Sequence, residues 1–274
     1  MKKYLKILAA LVSVAFLGLG YSYVLYLRDH PLHCSDTITI TRRITAETFA
    51  ETRDCLVRFK AAKKTFVVED SEGGDGAAAL AIGILIHRHN WDVEVANVCP
   101  SSCANWIFPA GKTKYLNSQS MLLFHGGPHQ ANWLEQGNKL EQMFAANGPP
   151  VDSVELGHKN KEGAITWSPD RSAADEEVLA FLSIDKDLPG VEKMIQFRIR
   201  SDQFYRELGV NPLLPEYGQI GGYEPLYKSY KYGGFIYPLD SLHRLGVRNI
   251  ELKQGEWHPE RHPAYPEIYE VTYP

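Results

Sequence analysis

The stretch from 65 to 98 constrains the fold more than any other part of the chain: it reads TFVVED, SEGGDG, AAALAIGILIHRH and NWDVEVANV in succession. A short β-branched run closed by acids is a buried strand over 65–70, the glycine cluster 71–76 is a turn, and 77–89 is a strongly apolar helix. A second strand over 92–98 completes a strand, helix, strand unit, and a crossover of that length pairs its strands in parallel. The unit then repeats, with CANWIFPAG as a short helix and KYLN and MLLFH (121–125) as further strands. Upstream, DTITITRRI alternates like a half-buried strand, and the helical spacing after it starts near Thr45, with Glu47 and Glu51 close by. The expected fold is α/β: a layered parallel β-sheet core with flanking helices, its functional groups collected at the carboxyl ends of the strands.

A chain of 274 residues that is 44% hydrophobic has enough apolar material for one sizeable core. Its formal net charge of −4, with no long block of Lys and Arg, excludes a nucleic-acid footprint. Ahead of the core, the 21 residues from Ile7 to Leu27 carry no charge, which is enough to span a bilayer as a helix. Lys2, Lys3 and Lys6 precede them, so the positive-inside bias keeps residues 1–28 as a cytoplasmic start plus transmembrane signal-anchor and sends the rest across the inner membrane. A cleaved signal peptide is the other reading of the same segment. Both place the main domain, residues 35–252, on the extracytoplasmic or periplasmic side.

Export makes disulfides the expected state of the four cysteines, with Cys99 to Cys103 and Cys34 to Cys55 the favoured pairing; four reduced, buried thiols are the alternative. Periodicity weakens after 126. ANWLEQGNKLEQMFAA is amphipathic and helical in pattern, about 145–175 reads as an irregular insertion, and 191–208 returns to helix. FIYPLDSLHRLGVRNIEL closes the domain as strand, turn, helix and strand, and the Pro- and aromatic-rich 253–274 reads as a surface tail. The pairs His125 with His129 and His258 with His262 have a metal-like spacing, but Gly and Pro interrupt both, so no metal site is expected. The aromatic run YEPLYKSYKYGGFIY packs under a surface loop or lines a peptide groove.

Three turns carry polar groups to the same end of the expected sheet: the glycines of SEGG, the adjacent serines of CPSSC, and His125 at the end of MLLFH. A serine at a strand-to-helix turn is an ordinary cap by itself, yet it is also the position from which a nucleophile would face free backbone N–H groups. In this order the run DSEGGDGAAALAIGILIHRH through MLLFHGG resembles the Clp-protease and crotonase-like superfamily, and in particular its exported ClpP-like serine hydrolases. Ser71-Glu72-Gly73-Gly74 matches the family's Ser-Pro-Gly-Gly turn, followed by Ala81-Ile82-Gly83. The nucleophile of the family lies eight residues before an Ala-Gly pair, and counting back from Ala110-Gly111 gives Ser102. The family's histidine matches His125, preceded by Asn117-Ser118 and Met121-Leu122-Leu123-Phe124.

The resemblance implies Ser102 as nucleophile and His125 as general base, with an oxyanion hole from the N–H groups of Gly74 and Cys103 and a turn shaped by Gly73. Exported members with a Cys-x-Ser-x-Cys turn have the serine in the middle, which would select Ser101. The family's orienting aspartate falls in register on Gly233 or Gly234, so no acid matches. Either another carboxylate or a polar group from the insertion fills the role, or the histidine works in a dyad; Glu224, the nearest acid before it, is not favoured. The implied function is a membrane-anchored serine hydrolase, of peptidase type, acting on a peptide or protein substrate without a cofactor. The competing reading is a catalytically silent ClpP-like domain that binds an envelope partner. An acyl-CoA hydratase on the same fold is disfavoured, because CoA chemistry is not expected outside the cytoplasm. The family's trimers and rings imply a homo-oligomer.

Overall fold

The computed structural model describes residues 35–58, 64–128, 158–159, 165–166 and 190–274. The chain divides into Met1–His33 and Cys34–Pro274, and only the second unit falls among the described residues. The expected membrane segment 7–27, the expected helix from Ala131 and most of the 145–175 insertion lie outside them. No helix among the described residues is long and apolar enough to cross a membrane.

The core is a six-stranded sheet built from β1 (Thr37–Ile40), β2 (Thr65–Asp70), β3 (Asp92–Pro100), β4 (Lys114–Leu116), β5 (Met121–Leu123) and β9 (Ile250–Leu252). Its order is β1-β2-β3-β4-β9, and every pairing is parallel, as the crossover from β2 to β3 requires. Strand β3 is long enough to hold two short partners on one side. Val93 to Val95 pair with Lys114 to Leu116, whereas Val98 to Pro100 pair with Met121 to Leu123. That division brings the end of β5, and with it His125, next to the end of β3, where the two serines stand.

Helices α1 (Ala46–Arg58) and α2 (Gly76–Arg88) complete the first layers. The Thr45 hydroxyl accepts from the N–H of Thr48, so the expected helix start does cap α1. Asp75 caps α2 through a 2.8 Å bond from Ala78 N–H. Every residue from Ala78 to Ile86 is buried, with α1 and further helices packed against α2, and a helix apolar all round is stable only where it is covered. After β3 a π-helical turn, Cys103–Ile107, runs into the single α-turn α3 (Phe108–Ala110). The long helix α4 (Gly190–Leu208) and the shorter α5 (Glu224–Lys228) and α6 (Leu239–Arg244) follow. Strands β6 (His158–Lys159) and β7 (Ile165–Thr166) form a separate antiparallel pair.

The carboxyl-terminal segment departs from the expected surface tail. Within it, β10 (Ile268–Glu270) pairs in parallel with β8 (Gly234–Ile236), and Ile268, Tyr269 and Val271 are buried. Three-residue strands between prolines show no period, so the pattern reading had nothing to detect. Strand β8 itself reaches the main sheet through an antiparallel bridge between Phe124 and Phe235.

Candidate active site

Ser101 is the first residue after β3, and it turns the chain with φ +58, a left-handed conformation that is uncommon for any side chain but glycine. Two main-chain bonds hold it there. Its N–H donates to Leu123 O at 2.8 Å, and its carbonyl accepts from Asn105 N–H at 2.9 Å. The side chain of Ser101 is half-buried. Ser102, its neighbour, is 2% exposed, and its buried Oγ has no hydrogen-bond partner.

Cys99 and Cys103 form a disulfide across this turn, with Cα atoms 5.3 Å apart. Cys55 is also disulfide-bonded, while Cys34, its expected partner, lies outside the described residues. Beyond Ser102 the N–H of Phe108 reaches back to Cys103 O, the i to i+5 bond of a π-helix. One extra residue is thereby wound into the segment that a gap-free count treats as ordinary helix. Tyr205 Oη donates to Asn105 O at 2.8 Å, and burial, reinforced by the charge of Glu216, pushes the Tyr205 phenol well above its ordinary value. The phenol therefore remains a donor at every pH the protein would meet.

The glycine turn faces the same spot. Gly73 has φ +70, and a Cβ there would lie 2.7 Å from Pro100 O and 2.8 Å from the Cβ of Ser101. Gly74 has φ +144, and a Cβ there would run into Ile44 O. Only glycine allows the turn to press this closely on Ser101. The Gly73 N–H is taken by Ser71 Oγ at 3.2 Å, whereas no acceptor among the described residues takes the N–H of Gly74. The N–H groups of Ser102 and Cys103 belong to the first turn of the helix, where intrahelical acceptors are lacking.

His125 follows the Phe124 bridge and has an exposed side chain. Among the described residues no carboxylate is hydrogen-bonded to its ring. The register of the missing acid is informative here. A Cβ at Gly234 would lie 3.3 Å from the Cβ of His125, and would also collide with Phe124 O, so β8 runs beside the histidine with no room for a side chain at 234. At Gly233 the nearest atom to such a Cβ is Glu267 O, at 3.8 Å. Glu224 is on α5, half-exposed and ion-paired with Lys228.

Three residues that the sequence reading did not single out surround the main chain of His125. Gln219 Nε2 donates to His125 O at 2.6 Å, Asn105 Nδ2 donates to Gly126 O at 2.9 Å, and Glu216 Oε1 stands 2.6 Å from where a Cβ of Gly127 would be. All three are buried polar residues, at 5%, 1% and 1% exposure, and their only sequence signal is a polar side chain where packing alone would put an apolar one. The remaining candidates lie apart from this site. The ring of His258 sits between Glu256 and Glu260, 2.9 Å from each, and His262 bonds to Asn97. Among the described residues no group of three or more potential ligands could hold a metal ion. The aromatic run is divided: Tyr232, Phe235 and Tyr237 join ring contacts, while Tyr230 is 89% exposed.

No protein family's profile matches the chain, and no curated protein matches it. Among solved structures, ClpP1 from Listeria monocytogenes is similar at a TM-score of 0.33 and 15% identity, over 40% of this chain and 71% of that one. A likeness of that size says nothing about the reaction.

Proposed function

We propose that the chain is a serine hydrolase of peptide bonds on a ClpP/crotonase-like core, with Ser101 as the nucleophile and His125 as its general base. The observation that carries this reading is the strained turn: Ser101 at φ +58, bracketed by a disulfide and pressed by the Gly73–Gly74 turn, at the sheet end where His125 emerges. A serine on a sharp strand-to-helix turn is held with its hydroxyl clear of both elements, which is what a nucleophile needs. The π-turn supports the choice of Ser101 over Ser102. Its extra residue displaces the count back from Ala110-Gly111 by one, and Ser101 is then the middle serine of a Cys-x-Ser-x-Cys turn.

In this mechanism the Oγ of Ser101 gives its proton to His125 and attacks the carbonyl carbon of the scissile peptide. The N–H groups of Gly74 and Ser102 receive the oxyanion, with Cys103 one residue further along the turn. Collapse breaks the C–N bond, and the leaving amine takes the proton from His125. Water, deprotonated by the same ring, then hydrolyses the acyl ester. The uncharged run 7–27 and the lysines before it support an anchor and a periplasmic domain, and the resemblance adds a polypeptide substrate and self-association.

The silent binding domain is favoured by one observation, the absence of a carboxylate on the His125 ring among the described residues. A fluorophosphonate probe applied to the full-length protein in its membrane separates the two. Labelling that is lost in Ser101→Ala and retained in Ser102→Ala is the expected outcome. No labelling of the native chain would support the binding domain, and labelling that survives Ser101→Ala would refute the assignment.

A further inference from the structure

Among the described residues no carboxylate holds the exposed His125 ring, yet a general base must be held within hydrogen-bond reach of its nucleophile, which begins with the main chain that carries it. We infer that Asn105 and Gln219 are positioning residues, two buried carboxamides that fix His125 through its own main chain. This inference rests on the proposed role of His125. Asn105 comes from the π-turn directly after the serines and Gln219 from the short 3-10 turn Tyr217–Gln219, so the clamp closes from two sides. Their donors take successive carbonyls, Gly126 O at 2.9 Å and His125 O at 2.6 Å.

The same side chains leave Asn105 Oδ1 and Gln219 Oε1 buried with no hydrogen-bond partner. A buried acceptor without a donor costs about 1–3 kcal/mol, so each carboxamide gives back much of the stability its own donor contributes. What the carboxamides supply is direction. Asn105 links the nucleophile turn to the base strand rigidly, and the Tyr205 hydroxyl on Asn105 O keeps that turn in place.

The test uses the full-length chain in detergent with carbon-13-labelled histidine, reading two quantities: the rate of fluorophosphonate labelling and the Cε1–H resonance of His125, assigned with His125→Gln. Asn105→Leu and Gln219→Met should each slow labelling by on the order of 10- to 100-fold, and should shift and broaden the His125 resonance. Gln219→Glu keeps the shape and loses the donor while ionised, so it should show the same defect at neutral pH. Asn117→Leu is the control, because Asn117 also donates to a backbone carbonyl and buries an orphan oxygen, on a strand end away from His125, and should change neither readout. If the native chain is not labelled but the variants still move the His125 resonance, the hydrolase reading fails and the clamp stands. Folded Gln219→Met and Gln219→Glu proteins with a native His125 resonance would overturn the clamp, whether or not Asn105→Leu folds.

Discussion

At the scale of single residues, the site depends on positions where one atom more would not fit. Gly73 is the clearest: a methyl group there meets Ser101 Cβ at 2.8 Å, on a backbone with φ +70 that disfavours any side chain. Gly73→Ala should lower stability by about 1–3 kcal/mol in urea unfolding and abolish fluorophosphonate labelling, since either the turn or Ser101 must retreat. A variant as stable and as reactive as the native chain would show that the two turns are not in contact. Lys114 supplies a second residue-scale prediction, at the opposite end of the sheet. It starts β4, is buried at 5% exposure, and donates to Gly111 O at 2.6 Å. Burial lowers its pKa from 10.5 to about 8, against a smaller upward pull from Asp92. Between those values the unfolded chain binds more protons than the folded one, so stability should be lowest below pH 8 and rise as the pH approaches 10.5. The rise is about 3 kcal/mol at most. Lys114→Met should flatten this part of the pH–stability curve, and an unchanged slope in paired denaturation series would contradict the assignment.

Elements are where sequence and structure agree best and also where they part. Strand β2 spans the residues that TFVVED predicts, and α2 and α4 lie within a residue or two of expectation, because long apolar runs and clean periods leave few alternatives. The π-turn was not legible. A one-residue insertion within CANWI alters neither composition nor period over so short a span, and the count from Ala110-Gly111 assumed regular helix throughout. The clamp residues Asn105 and Gln219 were missed for a related reason: reading a pattern sorts residues into apolar and polar, and a buried carboxamide is counted with the surface. What keeps the π-turn is tertiary. Its Asn105 carbonyl is satisfied by Tyr205 on α4, while Trp106 Nε1 donates to Ser201 Oγ at 2.8 Å on the same helix. Tyr205→Phe leaves that carbonyl buried without its donor. The expected cost is about 1–3 kcal/mol in denaturant unfolding, together with a slower fluorophosphonate labelling of Ser101. Full reactivity in a destabilised Tyr205→Phe protein would separate the π-turn from the positioning of the nucleophile.

For the described part of the molecule taken whole, the last residues are tied to the site rather than appended to it. Strand β10 covers the edge of β8, and β8 meets the end of β5 through Phe124 and Phe235, whose rings stack with centroids 5.9 Å apart. Tyr269 Oη donates to Gly218 O at 2.7 Å, one residue before the glutamine on His125 O. Burial raises the Tyr269 phenol to about 12, so this bond persists well above neutral pH. Ending the chain at Glu267 would bare one edge of β8, remove the buried Val271 and release Gly218. Such a chain should unfold at lower denaturant and lose labelling. The milder Tyr269→Phe isolates the path to the site: it keeps the strand and ring packing, removes only the bond to Gly218, and should slow labelling several-fold with a loss of stability of about 1 kcal/mol. If Tyr269→Phe lowers stability while the labelling rate stays native, the terminal strand supports the fold alone, and its link to His125 through Gly218 and Gln219 carries no positional information.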